Sequence, residues 1–438
     1  MKKTTVWIVL LAMCLLAGCG AVESMLPEPD FPIATEVPPE AIVIETPIPT
    51  ATPTPAPTHT PTPVPTPTPV PVVRSMTSGV RQEDQSVPAL YEPIIISVEN
   101  STGARPQVSL NYADIIYEFA VESSITRFQV LFNDVKPVFA GPLRSSRVYL
   151  MRFQQEWQGI YAHEGYGGPF YNEKWINMHA TRGYSYLKKF FWRTSEAKKS
   201  EHTMMIGVND VASTIYGAIP DEKFPTPSYT RFWWDEGVSY PDGEPFEKVT
   251  LNFFYRGVKE SEKISFTYDE ETNTLVRYQD GYKFKTRMPT DRAKDRKSGF
   301  YTRMEDLVVQ NLIVQYVPYC EIPGDRKGRR NCDLLGEGPC DFFINGIHMT
   351  GTWSRPSYEE TTSYRLEDGS TLVMEPGRTW VCMHPDNMEE NPVHITLKNG
   401  TTYTPNVVAK GTVGTEKASD YGGDKVQRRT GGGEDDVD

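Results

Sequence analysis

The chain has 438 residues, with 45 lysines and arginines against 57 aspartates and glutamates, for a formal net charge of −12. Apart from the short pairs Arg326-Lys327 and Arg329-Arg330, which read as a solvated turn, no Lys/Arg block stands out. That balance excludes a general nucleic-acid role, because a phosphate backbone needs a clustered basic face.

At the N-terminus Lys2 and Lys3 precede an apolar run from Val6 to Leu16, followed by small residues, the order of a secretory signal over residues 1–18. The run is shorter than the roughly 20 residues a membrane-crossing helix needs. It ends in Leu16-Ala17-Gly18-Cys19, which resembles a lipobox, so Cys19 is expected to become the diacylated first residue. Two acyl chains hold a protein on a membrane where one leaves it exchanging. The expected location is the outer face of the cytoplasmic membrane, with the lipid anchor as the membrane contact.

Residues 19–85 read as a linker. Sixteen prolines and no glycine occur between Pro27 and Pro71, with a Thr-Pro alternation from Thr52 to Pro69. Proline supplies no backbone donor, so neither helix nor sheet is expected there. In the polyproline II form, at about 3.1 Å per residue, such a stalk reaches on the order of 140 Å.

The folded part divides into a mixed α/β domain over 86–230 and a β-rich domain over 248–405, an α+β chain mostly antiparallel in its second half. Residues 93–98 and 128–132 are continuous apolar runs, as in strands buried on both faces. Residues 113–119 fit strand or helix. The 3-4 spacing of Val148, Met151, Arg152 and Gln155 behind a Ser pair predicts a helix over 145–157, with Gly141-Pro142-Leu143 as a turn before it and a strand at 159–162 after it. Short strands follow at 249–254, 263–268, 274–278, 308–317, 340–344 and 379–383, the later ones separated by turns such as Asn345-Gly346, Asp368-Gly369 and Pro376-Gly377. Residues 406–438 are polar and expected to be disordered.

Six cysteines occur. With Cys14 lost and Cys19 lipidated, Cys320, Cys332, Cys340 and Cys382 remain in an oxidising compartment, where two disulfides are expected. Of three pairings, Cys320 with Cys332 across a hairpin and Cys340 with Cys382 is preferred. Without a Cys-x-x-Cys pair, zinc is not expected, nor is any other metal or cofactor.

Several segments in order resemble the YerB-like family of bacterial lipoproteins, a family without an established activity. They are Ile96-Ser97-Val98-Glu99-Asn100, Ala104-Arg105-Pro106-Gln107, Ala113 to Glu118, Ile125-Thr126-Arg127-Phe128, Gly141 to Arg147 and Ile160-Tyr161-Ala162-His163, then Asn311 to Gln315, Gly351-Thr352-Trp353 and Glu375 to Trp380. The family usually carries Asp where Glu99 stands, and the four cysteines embellish its pattern.

Arg105, Glu118, Glu122, Arg127, Arg144 and Arg147 all adjoin runs that should be buried, so they need partners. One reading is a structural network of Arg–carboxylate pairs, preferred for Glu118 with Arg127. The other is a cleft in which guanidinium forks meet a carboxylate or phosphate, preferred for Arg144, Ser145 and Arg147 at the helix start, with Arg105 and Arg127 as further contacts. His163, His179 and His202 lie close in sequence without metal-ligand spacing, and His163, at a strand end, is the first choice for a general base, with Glu118 or Glu122 as its carboxylate. No nucleophile elbow, phosphate loop or dinucleotide fingerprint occurs. Aromatics crowd residues 161–192 and would suit sugar faces. The preferred function is a cell-envelope binding or regulatory module acting on peptidoglycan glycan or a wall enzyme. Its rivals are a wall-active hydrolase or lyase using His163, and a solute-binding lipoprotein.

Overall fold

The computed structural model describes residues 72–122, 125–165, 187–195, 198–218, 232–253, 263–290, 302–321, 330–386 and 393–405. The signal, Cys19, the stalk as far as Pro71, His179, the aromatics of 166–186, Arg326 to Arg329 and the C-terminal tail lie outside them, whereas residues 72–85, expected to belong to the linker, are described.

Twelve strands form the backbone of one sheet: β1 (Ile94–Glu99), β2 (Ile115–Ala120), β3 (Thr126–Phe132), β4 (Ile160–Ala162), β5 (Glu244–Leu251), β6 (Ile264–Asp269), β7 (Thr274–Gln279), β8 (Tyr282–Lys283), β9 (Asn311–Val317), β10 (Gly336–Ile344), β11 (Ile347–Arg355) and β12 (Thr379–Pro385). Their order is β8-β7-β6-β5-β11-β10-β9-β12-β2-β3-β1-β4, so strands from both ends of the folded region share one sheet. β12 runs parallel to both β9 and β2, and its pairing with β2 joins the two regions. The fold is β-rich; among the described residues the α-helices are α1 (Val148–Trp157) and α2 (Val208–Ile215).

The central strands are covered on both sides, which is why β1, β2 and β3 are wholly buried, polar residues such as Ser97, Glu118 and Arg127 included. On one face α1 sets Phe153 4.2 Å from Tyr117, and Trp157 donates to the Tyr117 hydroxyl at 2.9 Å. On the other the sheet folds over itself, so that Phe266 of β6 and Arg277 of β7 lie against Trp380 of β12.

The predicted disulfides are not seen among the described residues: Cys340 and Cys382 are free thiols, and they and Cys332 are buried. Cys340 pairs with Gln315 and Cys382 with Val314, adjacent residues of β9, so the two thiols stand on opposite faces with a strand between them. Two strand spacings are about 10 Å, beyond the roughly 7 Å a disulfide spans. In the preceding ladder Cys332 is opposite Tyr319, and Cys320 is opposite Asn331. Burial pushes the thiols of Cys340 and Cys382 well above their ordinary range.

Residues 72–86 dock as a clasp at one end of the sheet. Ser75 donates to Asp134 at 2.6 Å, Thr77 donates to Asp114 at 2.7 Å, and Ser78 also donates to Asp134. The Gly377 amide donates to the Ser78 carbonyl at 2.8 Å. Gly79, at φ +68°, lies so close to Trp234 that a Cβ there would sit 2.1 Å from the indole.

Candidate functional site

At the opposite end of the sheet, where β1 finishes and β3 begins, Glu99 and Arg127 are registered partners and therefore project from the same face. Residues 142–144 run alongside β1, with Arg144 N donating to Ser97 O at 2.9 Å and Glu99 N to Pro142 O at 3.0 Å. The predicted turn is thus extended chain that delivers Arg144 beside Glu99. Arg147 follows as the N-cap residue of α1, in extended conformation and without a side-chain cap. Ser146, expected to help start the helix, instead contacts the Tyr161 hydroxyl at 2.8 Å.

Five charged side chains meet here. Glu122 Oε1 accepts from Arg147 at 2.5 Å and from Arg127 at 3.3 Å. Burial works against the Glu122 charge, yet the two guanidiniums bring its carboxyl down to about 2. Burial, and then Arg147 close by, lower Arg127 to about 10. Arg127 also donates to the Ser145 carbonyl, so Ser145 contributes its backbone. Glu99 accepts from Ser101 at 2.8 Å, is 3.5 Å from Arg144 and 2.9 Å from His202 Nδ1. Glu99 and His202 were not among the predicted site residues; the signal for Glu99 was its alternation with Ser97, which puts both polar side chains on one face.

The other candidates separate from this group. Glu118 pairs with Phe128, not Arg127, and faces the opposite side of the sheet. Its partner is Arg277, which donates to both carboxylate oxygens at 3.0 and 3.2 Å, with Thr126 and Trp380 Nε1 completing the set at 2.7 and 3.2 Å. Both charged side chains are fully buried. Arg105 joins that side, 3.2 Å from Asp280 and bonded to the Asn100 carbonyl at 2.9 Å. His163 is buried, and desolvation lowers it to about 4, although its Nδ1 lies 2.7 Å from the Gly165 carbonyl. Among the described residues no group of three His, Cys, Asp or Glu side chains has metal-binding geometry.

Fold and site together define a β-rich module with a half-enclosed arginine–carboxylate cluster at one end of its sheet. Residues 77–221 match the family "Protein of unknown function (DUF3048) N-terminal domain", and residues 253–381 match its C-terminal domain. The chain is 24% identical to the "Putative lipoprotein YerB" of Bacillus subtilis (strain 168) over 312 residues, which is 67% of this chain and 81% of that protein. The crystal structure of YerB from Bacillus subtilis superposes with a TM-score of 0.55 at 22% identity, covering 72% of this chain and 97% of that one. This chain belongs to the YerB-like family. No helix among the described residues is long and apolar enough to cross a membrane.

Proposed function

We propose that this chain is an envelope lipoprotein, anchored through Cys19 on the outer face of the cytoplasmic membrane, whose arginine cluster receives an anionic group of wall material or of a wall enzyme. The relative's name supports the lipoprotein part. One observation carries the rest: three guanidiniums, of Arg127, Arg144 and Arg147, share two carboxylates in a site where no one of the five side chains is more than 14% exposed. The excess positive charge is costly when shielded from water and is relieved by an incoming anion. The Nε atoms of Arg127 and Arg147 and Oε2 of Glu122 are buried without partners. The cluster also lies at the far end of the sheet from the clasp, about 20 Å along six-residue strands.

The hydrolase reading is weaker on electrostatic grounds. A His held at about 4 is a poor base at neutral pH, and a carboxyl held at about 2 is a poor acid. Glu118 is closed in by Arg277.

The test uses soluble peptidoglycan fragments and calorimetry. Arg144 is the loosest member, 3.5 Å from its partner. Arg144→Ala is expected to weaken binding about 10-fold or more, the value of one charge-assisted hydrogen bond, while the melting temperature stays nearly constant. Unchanged affinity would overturn the reading.

A further inference from the structure

The two oxygens of Glu99 are drawn toward different partners. Oε1 accepts from Ser101 at 2.8 Å and stands 3.5 Å from Arg144 Nε, whereas Oε2 lies 2.9 Å from His202 Nδ1. A carboxylate oxygen only accepts, so the imidazole N–H is the donor. Glu122, by comparison, meets Arg147 at 2.5 Å. Arg144 is therefore the guanidinium of the cluster whose acid is held back by other donors.

The local chain fixes this arrangement. His202 sits in the loop of a hairpin whose strands are Phe191–Arg193 and Met204–Ile206. The loop is closed by Thr194 N donating to Thr203 O at 2.9 Å and by Thr203 Oγ1 donating to Ser200 O at 2.7 Å. Leu143 N donates to Met204 O at 2.7 Å, so His202 and Arg144 reach Glu99 from adjacent stretches of chain. The other ring nitrogen, Nε2, is 3.5 Å from Glu201. Gly103 backs the ring so closely that a Cβ there would sit 2.7 Å from Nε2; the imidazole has its place because residue 103 carries no side chain.

We infer that His202 is a positioning residue of the anion site: by holding Glu99 it keeps Arg144 from being neutralised within the protein and leaves that guanidinium to the ligand. This rests on the cluster being an anion site and adds what keeps the site open. The Glu99 side chain is 5% exposed, so Oε2 without the imidazole would be a carboxylate oxygen stripped of its donor and shielded from water, which is costly. Closing the gap to Arg144 until a charge-assisted bond of about 2.8 Å forms takes only a small side-chain movement. The ligand would then have to displace Glu99 before it reached Arg144. His202 acts through Arg144 and does not itself touch the ligand.

The test extends the calorimetry with soluble peptidoglycan fragments, on the full-length chain. His202→Ala is expected to weaken binding about 10-fold, as Arg144→Ala does. In the Arg144→Ala background it should change nothing further, since the residue it acts through has gone. His202→Gln, whose amide can donate to Glu99, should restore most of the affinity. Gly103→Ala, which displaces the ring while His202 stays in the sequence, should weaken binding in the same direction. Without ligand, the coupling between Glu99→Gln and Arg144→Ala in urea unfolding should rise once His202 is replaced by Ala. Losses that multiply in the double variant, no rescue by glutamine, or a coupling that stays the same overturns the inference. Unchanged affinity in His202→Ala, where Arg144→Ala binds weakly, leaves the anion site standing and ends the positioning role alone. Unchanged affinity in Arg144→Ala removes the anion site and this inference with it.

Discussion

Replacing Asp114 by Asn tests whether the clasp contains a carboxyl that resists ionisation. Asp114 is 5% exposed and accepts from Thr77 and from the amides of Asn133 and Asp134, at 2.7, 2.9 and 3.1 Å. Burial, and then the neighbouring Asp134 charge, raise it from 3.8 to about 7, against those three donors and with Lys136 and Arg378 as the cations that feel it. The folded state therefore holds a proton that the unfolded chain has released, and stability falls as pH rises from about 4 to about 7. The full shift corresponds to ~4 kcal/mol as an upper figure, of which ~3 kcal/mol falls between pH 5 and pH 8. His163 acts in the opposite sense: depressed to about 4, it adds stability as pH rises toward 6.5. The informative quantity is accordingly the difference between wild type and Asp114→Asn in urea unfolding, measured at half-unit steps from pH 5 to pH 8.5. The Asn oxygen can accept the same donors without ionising, so the variant should gain on the wild type by ~3 kcal/mol across that range. A difference that does not change with pH would refute the assignment of a raised carboxyl to the clasp.

Removing one member of the enclosed pair, by Glu118→Gln or Arg277→Met, should cost ~3–5 kcal/mol in urea unfolding, and the double change should cost less than the sum because neither charge is left stranded. Additive losses would show that the two side chains do not act as a pair. Cys340 and Cys382 should resist iodoacetamide in the native protein and react fully on denaturation without reductant, and mass spectrometry finding them oxidised would contradict the register of β10, β9 and β12. Cys19→Ser should move the protein from the membrane fraction to the medium; continued membrane association would show that Cys19 is not the anchor.

How much was legible in the sequence depended on how local the cause was. β1 and β3 declared themselves through apolar runs, and β5, β6, β7, β9, β10 and β12 as short strands between turns, whereas β11, reading IHMTGTWSR, was not expected, because two of its alternating buried positions are Gly351 and Arg355 and carry no apolar signal. The joining of β12 to β2 was not readable, because parallel pairing between segments over 200 residues apart leaves no mark in either. The charged residues illustrate how finely register decides. Glu118 and Arg127 looked like partners as charges beside buried runs, but strand alternation sends them to opposite faces, and the residue that neutralises Glu118 arrives from β7. Arg144 and Arg147 were noticed together for their closeness to a helix start; what unites them with Arg127 is a segment of extended chain laid along β1. The thiols were misread because export and even number favour disulfides in general, while the pleat of β9 separates these two.

The clasp also governs how tension would enter the fold. Asp114 immediately precedes β2, Asp134 follows β3 and Gly377 lies just before β12, and these three strands are neighbours in the middle of the sheet. A tug arriving from residue 72 meets the Ser75, Thr77 and Ser78 side-chain bonds and the Gly377–Ser78 backbone bond. The load is shared among several attachments and handed to interior strands that are paired on both sides. An edge strand under the same pull would peel away one bond at a time, whereas a pull on residue 72 has to break several bonds to interior strands together.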